Sequence, residues 1–366
     1  MKWSLKLGRL WGIDVYLHIT FILFLAWVGY TTWVGLGLGA ALSIIFLILS
    51  LFACVVLHEY GHALTARKFG IGTHDITLLP IGGVARLERM PSNPKQELLV
   101  AIAGPAVNVV IASVVGLILF LKGDPMPRDP ANLLEGGILW NLLRMNLVMI
   151  VFNLLPAFPM DGGRMLRATL AMKMPYAKAT RTAATIGQGM AVLFAIIALL
   201  YGPFMLLFIA IFVWIGASNE AEAAEEDSLL AGLRVRDAML TDYRRLSPDD
   251  TAQDTVQLIL QGWQADFPVV LDGQLVGIVT RQDVVTALEA GEPRQPVSAF
   301  MREVTFLCAP DDALDASLET LRGSDLPLLP VLHHGRLAGL LTSENVLETI
   351  VFRRALSRRL PPPLPV

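Results

Sequence analysis

Ser43-Ile-Ile-Phe-Leu-Ile-Leu-Ser-Leu-Phe-Ala-Cys-Val-Val-Leu-His58-Glu59-Tyr-Gly-His62 decides the reading of this chain. The apolar run begins at Gly39 and carries no acidic or basic side chain until His58. A run of this kind enters a bilayer as a helix. Ionisable groups are expensive there, so their presence argues for function. H-E-x-x-H on a helix puts two imidazoles on one face, one turn apart, with a carboxylate beside them. That geometry suits a zinc ion held by His58 and His62, with Glu59 as general base. The combination implies peptide hydrolysis at or within the membrane.

The rest of the chain agrees with a membrane setting. It has 366 residues, is 54% hydrophobic and has a mean hydropathy of +0.57, too apolar for a soluble protein of this size. Six spans are expected, at 16–34, 40–64, 97–121, 137–155, 186–201 and 203–218, the last two short. The first reads as a real span rather than a cleavable signal. The net charge of −3 hides an asymmetry, because the membrane half is nearly free of acids while 220–350 is charged and soluble-looking. Nothing in that pattern points to a nucleic-acid partner. Cys54 and Cys308 lie in different halves and suggest no disulfide framework.

Lys and Arg set the expected orientation. Lys2, Lys6 and Arg9 precede span one, and Arg67 and Lys68 follow span two. Arg164, Arg167, Lys173, Lys178 and Arg181 fill the connection between spans four and five. All fall on one side of a six-span arrangement, which places both termini in the cytoplasm of a multi-pass protein of the cell membrane. The 122–136 loop, with Lys122 and Arg128, falls on the other side.

Zinc with two His ligands needs a third protein ligand and an open water position. Span four ends in Asn153-Leu-Leu-Pro156-Ala-Phe-Pro159-Met-Asp161-Gly162-Gly163-Arg164, where the prolines and glycines must stop the helix. Asp161 stands in that rigid loop at the edge of a span and is the best third ligand by depth and context. His18, early in span one, and His74 are the rivals. Between spans two and three, Ile76–Leu79 and Val84–Leu87 read as two short strands around a Pro80-Ile-Gly-Gly turn. This hairpin is either re-entrant near the active site or on the cytoplasmic surface. Its edge could pair with an extended substrate. Ala103-Gly104-Pro105-Ala106-Val107-Asn108 opens span three with small residues that allow close helix approach, and packing alone explains it.

After Glu220 the composition changes. Glu220-Ala-Glu-Ala-Ala-Glu-Glu-Asp reads as a solvated helix or linker, and an internal repeat follows. Val235-Arg-Asp-Ala-Met239 recurs as Val297-Ser-Ala-Phe-Met301, and Gly277-Ile-Val-Thr280-Arg-Gln-Asp283 recurs as Gly339-Leu-Leu-Thr342-Ser-Glu-Asn345. Each unit reads strand–helix–strand–turn–strand–helix, with hairpin turns at Asp272-Gly273 and His334-Gly335. The adjacent His333 and His334 are expected in a solvated turn, binding nothing.

These residues together resemble a known family. The membrane half, over 1–217, is similar to the site-2 proteases, intramembrane zinc metalloproteases of the M50 type, in His58-Glu59-x-x-His62, Ala103-Gly-Pro-x-x-Asn108 and Asn153-x-x-Pro-x-x-Pro159-x-Asp161-Gly162. The resemblance implies one zinc ion per chain on His58, His62 and Asp161, and Glu59 as base. It also implies substrate positioning by Asn153 and Pro159, and substrates that are single-span membrane regulators such as anti-sigma factors. The soluble half resembles a tandem pair of CBS domains, which implies adenine nucleotides (ATP, ADP or AMP) near Thr280 and Asp283, and near Thr342 and Asn345 in the second repeat. There Asn345 replaces the acid, and a carboxylate accepts from ribose hydroxyls more strongly than an amide.

The expected architecture is therefore an α-helical polytopic membrane protein, six transmembrane helices with a re-entrant β-hairpin, plus a cytosolic α/β tandem CBS module. The expected domains are a protease domain at 1–218, a linker at 219–231, CBS repeats at 232–291 and 292–352, and a basic, Pro-rich tail at 353–366. The partners are a transmembrane substrate, the lipid bilayer and a second copy of the chain through the CBS pair. The competing class is a CBS-gated metal-ion transporter or channel, for which polar residues should line several spans.

Overall fold

The computed structural model describes residues 3–80, 82–91, 93–127 and 137–357. Arg128 and the tail beyond Ser357 lie outside them. The chain divides into two compact units, Met1–Ala224 and Glu225–Val366.

The first unit opens with strands rather than a span. β1 (Ser4–Leu10) and β2 (Ile13–His18) form an antiparallel hairpin closed at Trp11-Gly12, both with positive φ. Positive φ at both central residues is the type I′ geometry that matches strand twist. β2 runs parallel to β3 (Thr73–Leu79), which pairs antiparallel with β4 (Gly82–Leu87), so the sheet order is β1-β2-β3-β4. The hairpin expected at 76–87 is thus half of a four-stranded sheet. Lys6 and Arg9, expected merely to flank a span, lie on β1 and pair with Asp14 of β2.

The helices follow from long apolar runs punctuated by caps. α1 (Ile19–Leu36) starts where the His18 ring accepts the Thr20 N–H. α2 (Leu38–Lys68) carries the H-E-x-x-H turn, and α3 (Pro94–Lys122) is capped by Asn93 and stopped by the left-handed Gly123. α4 (Gly137–Asn153) has 17 described residues. The amphipathic α5 (Asp161–Ala171) precedes α6 (Tyr176–Tyr201) and α7 (Phe204–Leu230).

Among the described residues, α1, α2, α3, α6 and α7 are long and apolar enough to cross a membrane, five helices where six spans were expected, with α4 shorter. α6 and α7 were expected to be short but have 26 and 27 residues. Their polar ends, Tyr176–Arg181 and Asn219–Asp227, are good helix formers that an apolar window misses. Consequently the expected linker at 219–231 is helical through Leu230.

In the second unit the repeat is regular. α8 (Ala252–Gln261), β5 (Phe267–Leu271), β6 (Gln274–Val279) and α9 (Arg281–Glu289) are matched by α10 (Leu314–Gly323), β7 (Leu328–His333), β8 (Arg336–Thr342) and α11 (Ser343–Ser357). Both hairpins turn through a positive-φ pair, Asp272-Gly273 and His334-Gly335. The strand expected to open each repeat is reduced to single bridges, Leu246 with Val269 and Cys308 with Val331. Arg353–Ser357 of the expected tail belongs to α11.

Candidate active site

The H-E-x-x-H turn of α2 serves three directions. His58 and His62 share one face, with ring centroids 4.8 Å apart. Tyr60 points away from them and fixes the sheet, its buried hydroxyl donating to Leu10 O at 3.0 Å while its ring packs with Ile13, Val15 and Ile76. A buried phenol needs such a partner. Arg67 adds a hydrogen bond to Trp11 O at 2.8 Å. Glu59 turns toward β4, where its Oε2 accepts the Ala85 N–H at 3.2 Å. Gly83 permits this approach, because a Cβ there would stand 2.9 Å from Glu59 Cγ and 3.0 Å from Val55 Cγ1.

Asp161 arrives from the loop after α4. It is the first residue of α5, where a carboxylate also suits the helix dipole. Gly162 and Gly163 let the Leu154–Phe158 backbone fold against that helix start. A Cβ on Gly162 would lie 2.2 Å from Leu155 O, and one on Gly163 would lie 2.6 Å from the Ala157 carbonyl carbon. Behind it, Arg167 of α5 is buried between Glu97 of α3 and Glu220 of α7, donating to Glu97 Oε1 at 2.7 Å. Its guanidinium stacks 5.1 Å from the ring centroids of both Phe158 and Tyr176. Arg167 had been counted as a loop charge; it is the cation that ties α5 to two other helices.

Asp161 Oδ2 lies 3.1 Å from His58 Nε2 and 3.1 Å from His62 Nε2, and the two Nε2 atoms are 3.1 Å apart. All three side chains are buried. His62 Nδ1 donates to Val100 O at 2.7 Å, which leaves Nε2 of the neutral ring bare. A bare nitrogen against a carboxylate oxygen at that distance sets lone pair against lone pair and calls for a cation between them. Tetrahedral zinc with N and O ligands at about 2.0–2.1 Å separates them by roughly 3.3 Å. The triangle therefore fits zinc and leaves a fourth position for water. Among the described residues this is the group of His, Cys, Asp and Glu able to hold a metal. Gly104 of α3 makes room for it, since a Cβ there would sit 2.2 Å from His62 Nε2 and 2.7 Å from His58 Nε2.

The rival ligands go elsewhere. His18 ends β2 and caps α1, outside the span in which it was expected, and His74 is exposed at the bulge between Thr73 and Asp75. Asn153 closes α4, half-buried, and Pro159 packs against Gly216 of α7. Asn108 is fully buried in α3. His333 and His334 stack edge-to-face at the β7–β8 turn, at 4.1 Å.

In the second unit, Thr280 and Asp283 form the capping box of α9: Thr280 Oγ1 donates to Asp283 Oδ2 at 2.7 Å. Arg302 grips the same carboxylate through three contacts of 2.7–2.9 Å. Burial pushes the Asp283 carboxyl up, but Arg302 and Thr280 more than offset this and hold it below the ordinary carboxylate range. In the second repeat Thr342 and Asn345 bond each other at 2.5 Å.

The pattern of peptidase family M50 matches residues 46–137 and 131–196, and that of the CBS domain matches 235–290. The zinc metalloprotease MJ0392 of Methanocaldococcus jannaschii is 36% identical over 282 residues, covering 76% of this chain and 78% of that one. The chain belongs to peptidase family M50. This M50 zinc metalloprotease is also 27% identical over 380 residues to the protein sll0528 of Synechocystis, covering 96% of each chain. Among solved structures, the site-2 protease of Methanocaldococcus jannaschii is 38% identical with a TM-score of 0.45, covering 60% of this chain and 95% of that one. The family match and the zinc-metalloprotease relative favour hydrolysis over the transporter alternative.

Proposed function

We propose that this multi-pass M50 protease cleaves peptide bonds within the transmembrane segments of single-span membrane proteins. His58, His62 and Asp161 would hold the zinc ion, and Glu59 would serve as base. The observation that carries this reading is the triangle of 3.1 Å ligand spacings with Glu59 one residue from its corner, set in an apolar helix bundle. When bound, zinc lowers the pKa of a coordinated water to about 7 and polarises a carbonyl. Glu59, held by the Ala85 N–H, would take a proton from the attacking water and return it to the leaving amine. The substrate helix must unwind, because its carbonyls are hydrogen-bonded and covered. β4 is an edge strand of the described sheet and lies against Glu59, so an extended substrate segment adding to that edge would run past the base. Asn153 and Pro159 flank the loop that delivers Asp161 and would position the same segment. The Lys and Arg distribution supports cytoplasmic termini.

The deciding experiment compares membrane proteomes of cells carrying wild-type protein or Glu59→Gln. A membrane precursor should accumulate uncut in the variant, with its shortened product confined to wild type. Identical proteomes from folded, zinc-loaded proteins would overturn the reading.

For the CBS pair, the Thr280–Asp283–Arg302 arrangement supports a structural role. The acid that would meet a ribose is already ion-paired, and a nucleotide would first have to displace Arg302.

A further inference from the structure

The two histidines of the triangle are not equally supported. His62 has an orienting partner on its far nitrogen, the Val100 carbonyl of α3. His58 has none: its Nδ1 is buried and, among the described residues, without a hydrogen-bond partner. Metal-bound imidazoles as a rule donate that second N–H to an oxygen, which fixes both tautomer and ring orientation. A second orphan lies on α3. Asn108 is fully buried, and neither its Oδ1 nor its Nδ2 has a partner among the described residues. An unpaired amide in apolar surroundings is unfavourable, so Asn108 calls for a hydrogen-bond partner, and the bare His58 Nδ1 lies on a helix packed against its own.

Helix geometry puts them at the same level. α2 and α3 run antiparallel and touch closely, a Cβ on Gly61 falling 2.7 Å from Ala103 O and 2.9 Å from Val107 Cγ2. His62 meets Val100. One turn back along α2 is His58, and one turn forward along α3 is Gly104, which abuts His58 Nε2. Helical side chains lean toward the helix N-terminus and cover the preceding turn. Asn108 therefore leans back over the turn that begins at Gly104, the residue that abuts His58 Nε2.

We propose that Asn108 is a positioning residue, whose amide oxygen accepts the Nδ1–H of His58 and so turns a bare Nε2 toward the ion. The pair is not bonded in the structure, and the proposed bond requires the Asn108 amide to turn toward His58. The proposal rests on His58, His62 and Asp161 being the ligand set.

Zinc affinity of the full-length protein in detergent, measured by chelator competition, tests it with Asn108→Leu and Asn108→Asp. Leu keeps the volume and removes the acceptor; Asp keeps the acceptor. The expected result is a loss of about 10–100-fold for Asn108→Leu, with Asn108→Asp within about threefold of wild type. A packing role predicts the reverse order, since a buried Asp without a partner is worse than Leu. Equal affinities for wild type and Asn108→Leu, or Asn108→Asp as weak as Leu, would overturn the proposal. If Asn108→Leu does not fold, Asn108→Asp decides alone: retained affinity supports the bond and a loss beyond tenfold sinks it. The ¹⁵N resonances of His58 give an independent reading, an Nδ1–H tautomer in wild type that is lost in Asn108→Leu. Wild-type protein that holds no stoichiometric zinc, or holds it equally after Asp161→Asn, would instead remove the ligand set itself.

Discussion

Two glycines shape the centre by what they lack. Gly104 and Gly83 each face a reactive side chain at a distance no Cβ tolerates, but they face different ones. Gly104→Ala would drive a methyl group into the two Nε2 atoms, so zinc affinity should fall by more than tenfold, read by metal content after dialysis against a weak chelator. Gly83→Val would press on Glu59 and leave the ligands alone. Its zinc content should stay near one ion per chain while kcat drops by an order of magnitude or more, the scale typical of a displaced general base. Zinc loss in Gly83→Val would show that β4 supports the ligands as well as the base. At this scale much could be read in advance. The H-E-x-x-H register and the Asp-Gly-Gly after two prolines brought His58, His62 and Asp161 to notice from the sequence alone. Asn108 and Gly104 were read as packing, because an unpaired amide and a missing Cβ become meaningful only when their neighbours are known.

At the scale of elements, Asp161 is only as well placed as α5, and α5 is held by charge. Arg167 lies 2% exposed between two carboxylates and two aromatic rings. Removing one member of such a buried group strands the others. Arg167→Ala should therefore destabilise the protein by about 3–5 kcal/mol, seen as a lowered thermal midpoint in detergent. A change within about 1 kcal/mol would mean that water reaches Glu97 and replaces the guanidinium. This element was poorly legible. α5 is short and amphipathic between two apolar helices, and its arginines read naturally as cytoplasmic loop charges. The N-terminal hairpin was hidden differently, because Tyr16, Leu17 and His18 at the end of β2 run into the apolar α1 and were read as part of the span at 16–34. The alternation Ile13-Asp14-Val15-Tyr16 and the Trp11-Gly12 turn were the available signals.

On the scale of the whole molecule, the chain forms two compact units of different composition. The catalytic unit satisfies its backbone with helices and a sheet docked on protein, as the absence of water in a bilayer requires. In the CBS unit the Asp283–Arg302 pair should appear in acid titration. Because the folded pKa of Asp283 lies below its unfolded value, the pair stabilises fully above the ordinary carboxylate pKa of about 3.9 and is lost as pH falls through the lower folded value. Asp283→Asn should thus be less stable near neutrality and converge with wild type toward pH 2, followed by circular dichroism. The duplication itself was legible from the recurrence of Val235–Met239 and Gly277–Asp283 at a constant offset, since each copy needs the same turns and the same capped helix.

The two copies are also interlaced. Leu240 bridges to Leu340 on β8, and its counterpart Arg302 bridges to Ile278 on β6. Met239 and Leu240 rest on Gly339 and Met301 rests on Gly277, where a Cβ would fall 2.8 Å from Leu240 O and 2.7 Å from Met301 Sδ. Each half thus lends its leading segment to the other half's hairpin. A chain carrying only one half would hold a donated segment without a recipient and a hairpin without a donor. Two such chains would complete one another by swapping these pieces. The present arrangement therefore carries, within one polypeptide, the reciprocal exchange that a self-complementary dimer would make between two.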